Sequence, residues 1–293
     1  MPTVGAILEE ASRRFELRGI SSPRLDAEVL LGWALGLDRA RLLAHTDEPV
    51  DAGAVERFGL MSGLRESRKP VAYILGRKEF WSMELEVNED VLVPRPETEL
   101  VVEKSLELLG AAPSSSPSPI LVDVGTGAGP IALALAHEVR SAEIHATDVS
   151  AAALEVARRN ASSLGPSSRI RFHLGDLLEP ILDAGPPGRI DLVVSNPPYV
   201  GIGEQVDEEV RLWEPPAAVY GGASGLEVIE RLVPQASRAL APGGHLVLEV
   251  SRERVAGLRE IIEGAGMWED FQVSDDLAGL PRVATARRAR RAA

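Results

Sequence analysis

The stretch Ile120-Leu121-Val122-Asp123-Val124-Gly125-Thr126-Gly127-Ala128-Gly129-Pro130 decides the fold. Its first five residues are apolar apart from Asp123, a pattern that predicts a strand buried on both faces. Gly125, Gly127 and Gly129 then fall on alternate positions, so the backbone can turn tightly and approach a ligand closely. Pro130 suits the first position of a helix, where an N–H is not needed. Strand, glycine loop and helix in that order open an α/β unit that binds a nucleotide-like cofactor. The nicotinamide fingerprint G-x-G-x-x-G would put its third glycine at position 130. Here Pro130 stands there and the glycine comes one residue early, so a ligand without a pyrophosphate is the better match. Gly125, Thr126, Gly127, Ala128 and Gly129 are the candidate cradle.

Downstream, strand-like and helix-like runs alternate. Strands are predicted at 120–124, 143–147, 169–174, 190–195 and 244–250, and helices at 129–139, 151–163, 225–240 and 252–264. Two further strands, 268–274 and 281–287, follow as an antiparallel ending. The expected fold is therefore α/β, a seven-stranded, mostly parallel, doubly wound sheet of the class I methyltransferase type. Upstream, residues 1 to 70 read as a small helical bundle. Val4, Ile7, Leu8 and Ala11 recur at helical spacing, as do Leu25, Val29, Leu30 and Ala34, with Ser22-Pro23 as a helix start and Gly36 as a stop. Val71–Leu75 and Met83–Val93 read as strands of a β-hairpin linker over 71–97, with Glu79-Phe80-Trp81 between them, and 98–293 as the methyltransferase domain. The Pro/Ser-rich run from Ala111 to Pro119 is a connection of no evident chemistry, and the basic tail Arg287-Arg288-Ala289-Arg290-Arg291 is assigned no role.

Composition narrows the function. The chain has 293 residues, 45% of them hydrophobic, enough for a sizeable core. It has no cysteine, which excludes disulfides, thiolate metal sites and a cysteine nucleophile. His45, His137, His145, His173 and His245 show no ligand spacing, so no metal is expected. Met1-Pro2-Thr3-Val4 shows no leader pattern and no apolar run approaches the roughly 20 residues of a membrane span. A cytoplasmic protein without a membrane partner is expected. The formal net charge of −13 argues against a direct nucleic-acid partner, which calls for a basic footprint.

The second informative stretch is Ser195-Asn196-Pro197-Pro198-Tyr199, after the apolar run Ile190-Asp191-Leu192-Val193-Val194. Two prolines cannot continue a ladder, so the strand ends there in a rigid loop at its carboxyl end, the edge where open α/β sheets bind ligands. The Asn196 side-chain carbonyl and the Pro197 backbone carbonyl are two acceptors, and the Tyr199 ring lies beside them. Together with Pro198 they suit a flat NH2 on an sp2 carbon; the plainer alternative is a Pro-rich turn closed by a core tyrosine. Asp148 ends the run Ile144-His145-Ala146-Thr147-Asp148, 23 positions after Gly125, the offset that places a carboxylate on a ribose diol. Its alternative is a cap on the helix beginning near Ser150. Asp176 stands where an acceptor for an adenine amine would lie, with Leu177 as an apolar wall.

The glycine loop, Asp148 and Asn196-Pro197-Pro198-Tyr199 together resemble S-adenosylmethionine-dependent methyltransferases acting on planar nitrogen. Val91-Leu92-Val93-Pro94-Arg95-Pro96-Glu97-Thr98-Glu99 resembles the signature of the peptide chain release factor N5-glutamine methyltransferases. So do Pro70–Gly76 with Glu79-Phe80-Trp81, Leu25–Leu31, Glu214–Ala217 with Gly221–Leu226, and Asp276–Gly279 with Arg282. The resemblance covers essentially the whole chain. It implies S-adenosylmethionine as cofactor and, as substrate, the glutamine of a Gly-Gly-Gln loop on a class 1 release factor, gripped by the helical domain. Asn196, Pro197 and Tyr199 would be catalytic. The alternatives are glutamine methylation of a ribosomal protein, adenine-N6 methylation of nucleic acid, and a non-catalytic cofactor-binding protein. Two departures stand out. Leu177 replaces an aromatic residue, and Ser251-Arg252-Glu253-Arg254 replaces a Gly/Gln-containing run. The second is expected to lie away from the Asn196–Tyr199 loop.

Overall fold

The computed structural model describes residues 1–111, 118–165, 167–184 and 188–290. Most of the Pro/Ser-rich run and Arg291 of the basic tail lie outside them. The chain forms two compact units, Met1–Gly76 with Val206–Trp213, and Arg77–Gln205 with Glu214–Ala293.

The first unit is helical. Its helices are Val4–Leu17, Pro23–Leu35, Arg39–Ala44, Ala52–Glu66 and Val71–Leu75, with Glu208–Trp213 contributed by the second segment. Thr3, Asp38 and Asp51 each accept a backbone N–H from the first turn of the helix they cap. Gly36 ends the second helix in the left-handed region, at φ 66°. Leu8, Phe15, Leu30, Leu31 and Leu42 fill the core. The strand expected at Val71–Leu75 is instead a helix, opened by Pro70 and stopped by Gly76 at φ 70°. Val71, Ile74 and Leu75 pack on the helical core there. A five-residue apolar run has no decisive period, so packing chose its conformation.

Arg65 is buried at the centre of this unit. Its Nε donates to Asp26 Oδ2 (2.7 Å), Nη1 to the Lys69 carbonyl (3.2 Å) and Nη2 to Glu209. Asp26 Oδ1 accepts the Ser22 hydroxyl (2.8 Å), but its charge is paired with the Arg65 guanidinium, and removing one partner of a buried pair strands the other charge.

The second unit carries the expected sheet. From edge to edge the strands are Trp268–Asp275, Pro281–Arg288, Leu240–Glu249, Ile190–Ser195, Ile120–Val124, Glu143–Asp148 and Ile170–Leu174. The last five are mutually parallel, and the first two form the antiparallel ending. Leu133, Leu135 and Ala161 cover one core cluster of the sheet, and Ile229, Leu232, Leu258 and Ile262 cover the other. The hairpin is shorter than expected and belongs wholly to this unit. Arg77–Phe80 pairs with Met83–Glu86, so Phe80 lies in a strand and nothing from Val87 to Val93 does. Trp81 and Ser82 turn the corner at φ 50° and 56°, and Glu99 accepts the Trp81 N–H at 2.8 Å. Among the described residues no helix is long and apolar enough to cross a membrane.

The Arg65 arrangement makes a prediction. Arg65→Ala should destabilise the helical unit by roughly 3–5 kcal/mol, read by urea unfolding of the full chain. Asp26→Asn in the same background should return part of that loss; full additivity of the two changes would refute the pairing.

Candidate active site

The parallel register brings the carboxyl ends of the central strands to one edge. Val124 is opposite both Thr147 and Ser195, and Ser195 is opposite Leu248. Ser195 Oγ locks two of these ends together by donating to the Val124 carbonyl (2.7 Å). The glycine loop and the Asn196–Tyr199 loop leave the sheet side by side.

The glycine loop is held from beneath. The Gly125 and Thr126 N–H groups both donate to the Thr147 carbonyl (2.9 Å). Thr126 Oγ1 donates to Asp123 Oδ2 (2.7 Å), which also accepts the Ala132 N–H (3.1 Å). Gly125 and Gly127 sit at φ 71° and 56°, and a Cβ on either would point into open space, so the loop offers bare backbone. Gly129 differs, because its Cβ would press on Leu133 and Ala157 at 3.2 and 3.4 Å. It is there for packing against its own helix and the next one. Leu92, Pro94, Thr98, Gly125, Thr126, Gly127, Ala128 and Asn196 line one pocket.

Asp148 lies beside this loop. Its Oδ2 accepts the Gly127 N–H and its Oδ1 the Ser150 N–H, both at 2.9 Å. It does not cap the following helix; Ser150 does, accepting from the Ala153 N–H. Burial raises the Asp148 carboxyl above its ordinary value. Asp176 follows the neighbouring strand and pairs with Arg231. Leu177, at φ 50°, is buried in the core cluster with Val122 and Leu178. Neither lines the pocket that holds the glycine loop and Asn196.

The Asn196–Tyr199 loop is tied to three other segments. Asn196 Nδ2 donates to Thr98 Oγ1 (3.2 Å), the Thr98 hydroxyl donates to Glu249 Oε2 (2.6 Å), and the Tyr199 hydroxyl donates to Glu249 Oε1 (3.2 Å). Burial and the neighbouring Glu249 carboxylate raise the Tyr199 phenol, so it stays protonated and donates. Gly221 and Gly225 allow the backbone to close on the loop. A Cβ at either would collide with the Pro198 or Tyr199 carbonyl at 2.3 Å. Arg95 clamps the buried Glu214 with one nitrogen at 2.6 and 2.7 Å from its two oxygens.

One expectation is corrected. The run Ser251–Arg254 does not lie away from this loop: Arg254 Nε donates to the Tyr199 carbonyl at 2.9 Å and its guanidinium also pairs with Glu204. Leu240–Glu249 is the parallel neighbour of Ile190–Ser195, so the segments leaving the two strands emerge at the same edge. Sequence reasoning also gave no role to Thr98, Glu249 or Arg254. Glu249 did carry a signal, an acid at the end of an apolar strand beside the expected catalytic edge.

Asp123 yields a pH prediction. It is 1% exposed, its Oδ1 has no partner, and burial pushes its carboxyl from 3.8 up to about 7. The folded chain then holds a proton that the unfolded chain has lost, so stability falls as pH rises from about 4 to about 7. Asparagine keeps the acceptor for Thr126 and Ala132 but cannot ionise. The melting temperature of Asp123→Asn relative to the parent should therefore be more favourable at pH 8 than at pH 5. An equal difference at both values would refute the assignment.

The chain has clear relatives. The PrmC N-terminal domain family matches residues 6–76 and the methyltransferase small domain family matches residues 105–265. A release factor glutamine methyltransferase of Moorella thermoacetica is 39% identical over 292 residues, covering 98% of this chain and 99% of the relative. The enzyme of the same name from Xylella fastidiosa is 39% identical over 288 residues, covering 98% of each chain. Among solved structures, the hMettl16 catalytic domain aligns with a TM-score of 0.55 at 15% identity over 82% of each chain, a likeness of fold. With more than a third of its residues shared across nearly its full length, this chain belongs to the release factor glutamine methyltransferase family.

Proposed function

We propose that this protein methylates the side-chain amide nitrogen of a glutamine in the Gly-Gly-Gln loop of a class 1 peptide chain release factor, using S-adenosylmethionine. The carrying observation is the orientation of Asn196. Its NH2 is turned to Thr98 Oγ1, so Oδ1 is the atom left to accept from a substrate beside the glycine loop. The cradle suits such a cofactor: bare backbone at Gly125 and Gly127, with the half-buried Asp148 carboxylate beside it. Gly125 to Gly129 would hold its methionine portion and Asp148 the ribose hydroxyls. Asp176 and Leu177 on the next loop would meet the adenine. When bound, S-adenosylmethionine supplies an electrophilic sulfonium methyl.

A carboxamide nitrogen is a poor nucleophile because its lone pair is delocalised into the carbonyl. Asn196 Oδ1 and the Pro197 carbonyl accept its two N–H bonds, fixing the nitrogen and favouring the positive charge that develops on it. Tyr199, held by Glu249, packs on the amide plane. The N-methyl amide cation is strongly acidic and gives its proton to solvent, so no strong base is required. The residues flanking the glutamine are glycines, so the loop can reach a recessed site. The helical unit grips the body of the release factor.

Incubation with purified release factor and cofactor, followed by mass spectrometry, should add one methyl group to the Gly-Gly-Gln glutamine. Methyl transfer to nucleic acid or a ribosomal protein instead would overturn the proposal. Asp148→Ala should weaken cofactor binding by roughly 1–3 kcal/mol in calorimetry. Asn196→Ala should lower single-turnover methylation on the order of 100-fold or more with cofactor affinity little changed, while Asn196→Asp retains part of the rate. Parallel loss of rate and cofactor affinity in Asn196→Ala would make Asn196 a cofactor or structural residue.

A further inference from the structure

Asn196 can serve as an acceptor only while its amide is held one way round, and nothing in the amide itself selects that orientation. The selection comes from Thr98. A hydroxyl has one proton, and that of Thr98 is given to Glu249 Oε2 at 2.6 Å. Thr98 Oγ1 therefore shows Asn196 only lone pairs, and the NH2 end of Asn196 must face it, at 3.2 Å. The other Glu249 oxygen takes the Tyr199 hydroxyl at 3.2 Å. One carboxylate, 1% exposed, is thus the terminal acceptor for both polar arms of the Asn196–Tyr199 loop.

Resting on the assignment of Asn196 as the amide acceptor, we propose that Glu249 is a positioning residue whose ionised carboxylate, through the Thr98 hydroxyl, holds Asn196 Oδ1 toward the substrate amide and fixes the Tyr199 phenol. It touches neither substrate nor cofactor; it acts through two side chains that do.

The consequence is a dependence on proton occupancy. A protonated Glu249 has an O–H to give. Donated to Thr98 Oγ1, it frees the Thr98 proton to turn toward Asn196, where it meets an NH2. The amide must then rotate, and Oδ1 leaves the substrate. The groups facing Glu249 pull in opposite directions. Burial raises its carboxyl above the ordinary 4.5 and Glu97 adds to that, while the Thr98 and Tyr199 hydroxyls and Arg282 favour the ionised form. Arg282 is itself paired with Asp276. The net shift is upward. The turnover rate is therefore present above the Glu249 midpoint and lost as pH falls through it.

The test has two arms. In the first, turnover and KM for release factor are followed against pH in the parent, Glu249→Gln, Thr98→Val and Thr98→Ser. Glu249→Gln and Thr98→Val should lower kcat on the order of 10- to 100-fold, less than loss of the direct contact, with KM and cofactor affinity unchanged. Glu249→Gln should also lose the acid limb of the pH profile, and Thr98→Ser, which keeps the hydroxyl, should restore the parent's behaviour. In the second, the Asn196 side-chain amide is observed by NMR in asparagine-labelled protein without cofactor or substrate. Its resonance should move with the midpoint of the Glu249 carboxyl carbon and should stay still in Glu249→Gln. A resonance indifferent to Glu249, or a parent-like kcat and pH profile in Glu249→Gln, would overturn the proposal. Because the second arm needs no substrate, it decides whether the relay operates even in a protein that proves not to methylate release factor.

Discussion

Parallel strands deliver their carboxyl ends to one edge, and the chemistry of this protein depends on that constraint. Residues far apart in sequence meet because their strands pair in register, Thr147 beside Val124, Val124 beside Ser195, and Ser195 beside Leu248. The placement of the glycine loop, the Asn196 loop and Glu249 rests on those three pairings. The Ser195–Val124 hydrogen bond is a side-chain lock on the same geometry. A one-residue slip between Ile120–Val124 and Ile190–Ser195 would reverse the faces and misalign the two loops.

The same edge concentrates carboxyl groups, with Asp123 and Glu249 buried and Asp148 half-buried. Asp123, Asp148 and Glu249 each stand at a strand end with the carboxyl raised by burial. Few of the compensating groups are cations. Asp123 and Asp148 are held by backbone N–H groups and one hydroxyl, and Glu249 by two hydroxyls with Arg282 nearby. Burial without a paired cation favours the protonated form, and Asp123, pushed up to about 7, keeps its proton well above the ordinary carboxyl range.

Two motifs visible in the sequence acquire physical reasons in the fold. Arg95 and Thr98 of Val91–Glu99 do different work: Arg95 clamps Glu214, and Thr98 sets the polarity of Asn196. Gly221 and Gly225 of the Gly221–Leu226 run are glycines because the Pro198 and Tyr199 carbonyls occupy the space of a Cβ. The Arg65 network in the helical unit has a comparable logic, with Asp26 of the Leu25–Leu31 stretch as its partner.

Periodicity and glycine placement made the seven-stranded sheet, its antiparallel ending and the N-terminal helices legible, and marked the glycine turn between strand and helix, because these features are written in local spacing. Local spacing failed at Val71–Leu75, where five apolar residues fit strand or helix and the helical core decided. It failed again at Ser251–Arg254, because order along the chain does not reveal that two parallel neighbours end together. The roles of Thr98 and Glu249 lay beyond sequence reasoning for a related reason. They are 151 residues apart, and a hydrogen bond's direction depends on which proton each hydroxyl has already given away. Residue types and spacing mark the Asn196–Tyr199 loop; only the assembled sheet decides which way round the Asn196 amide is turned.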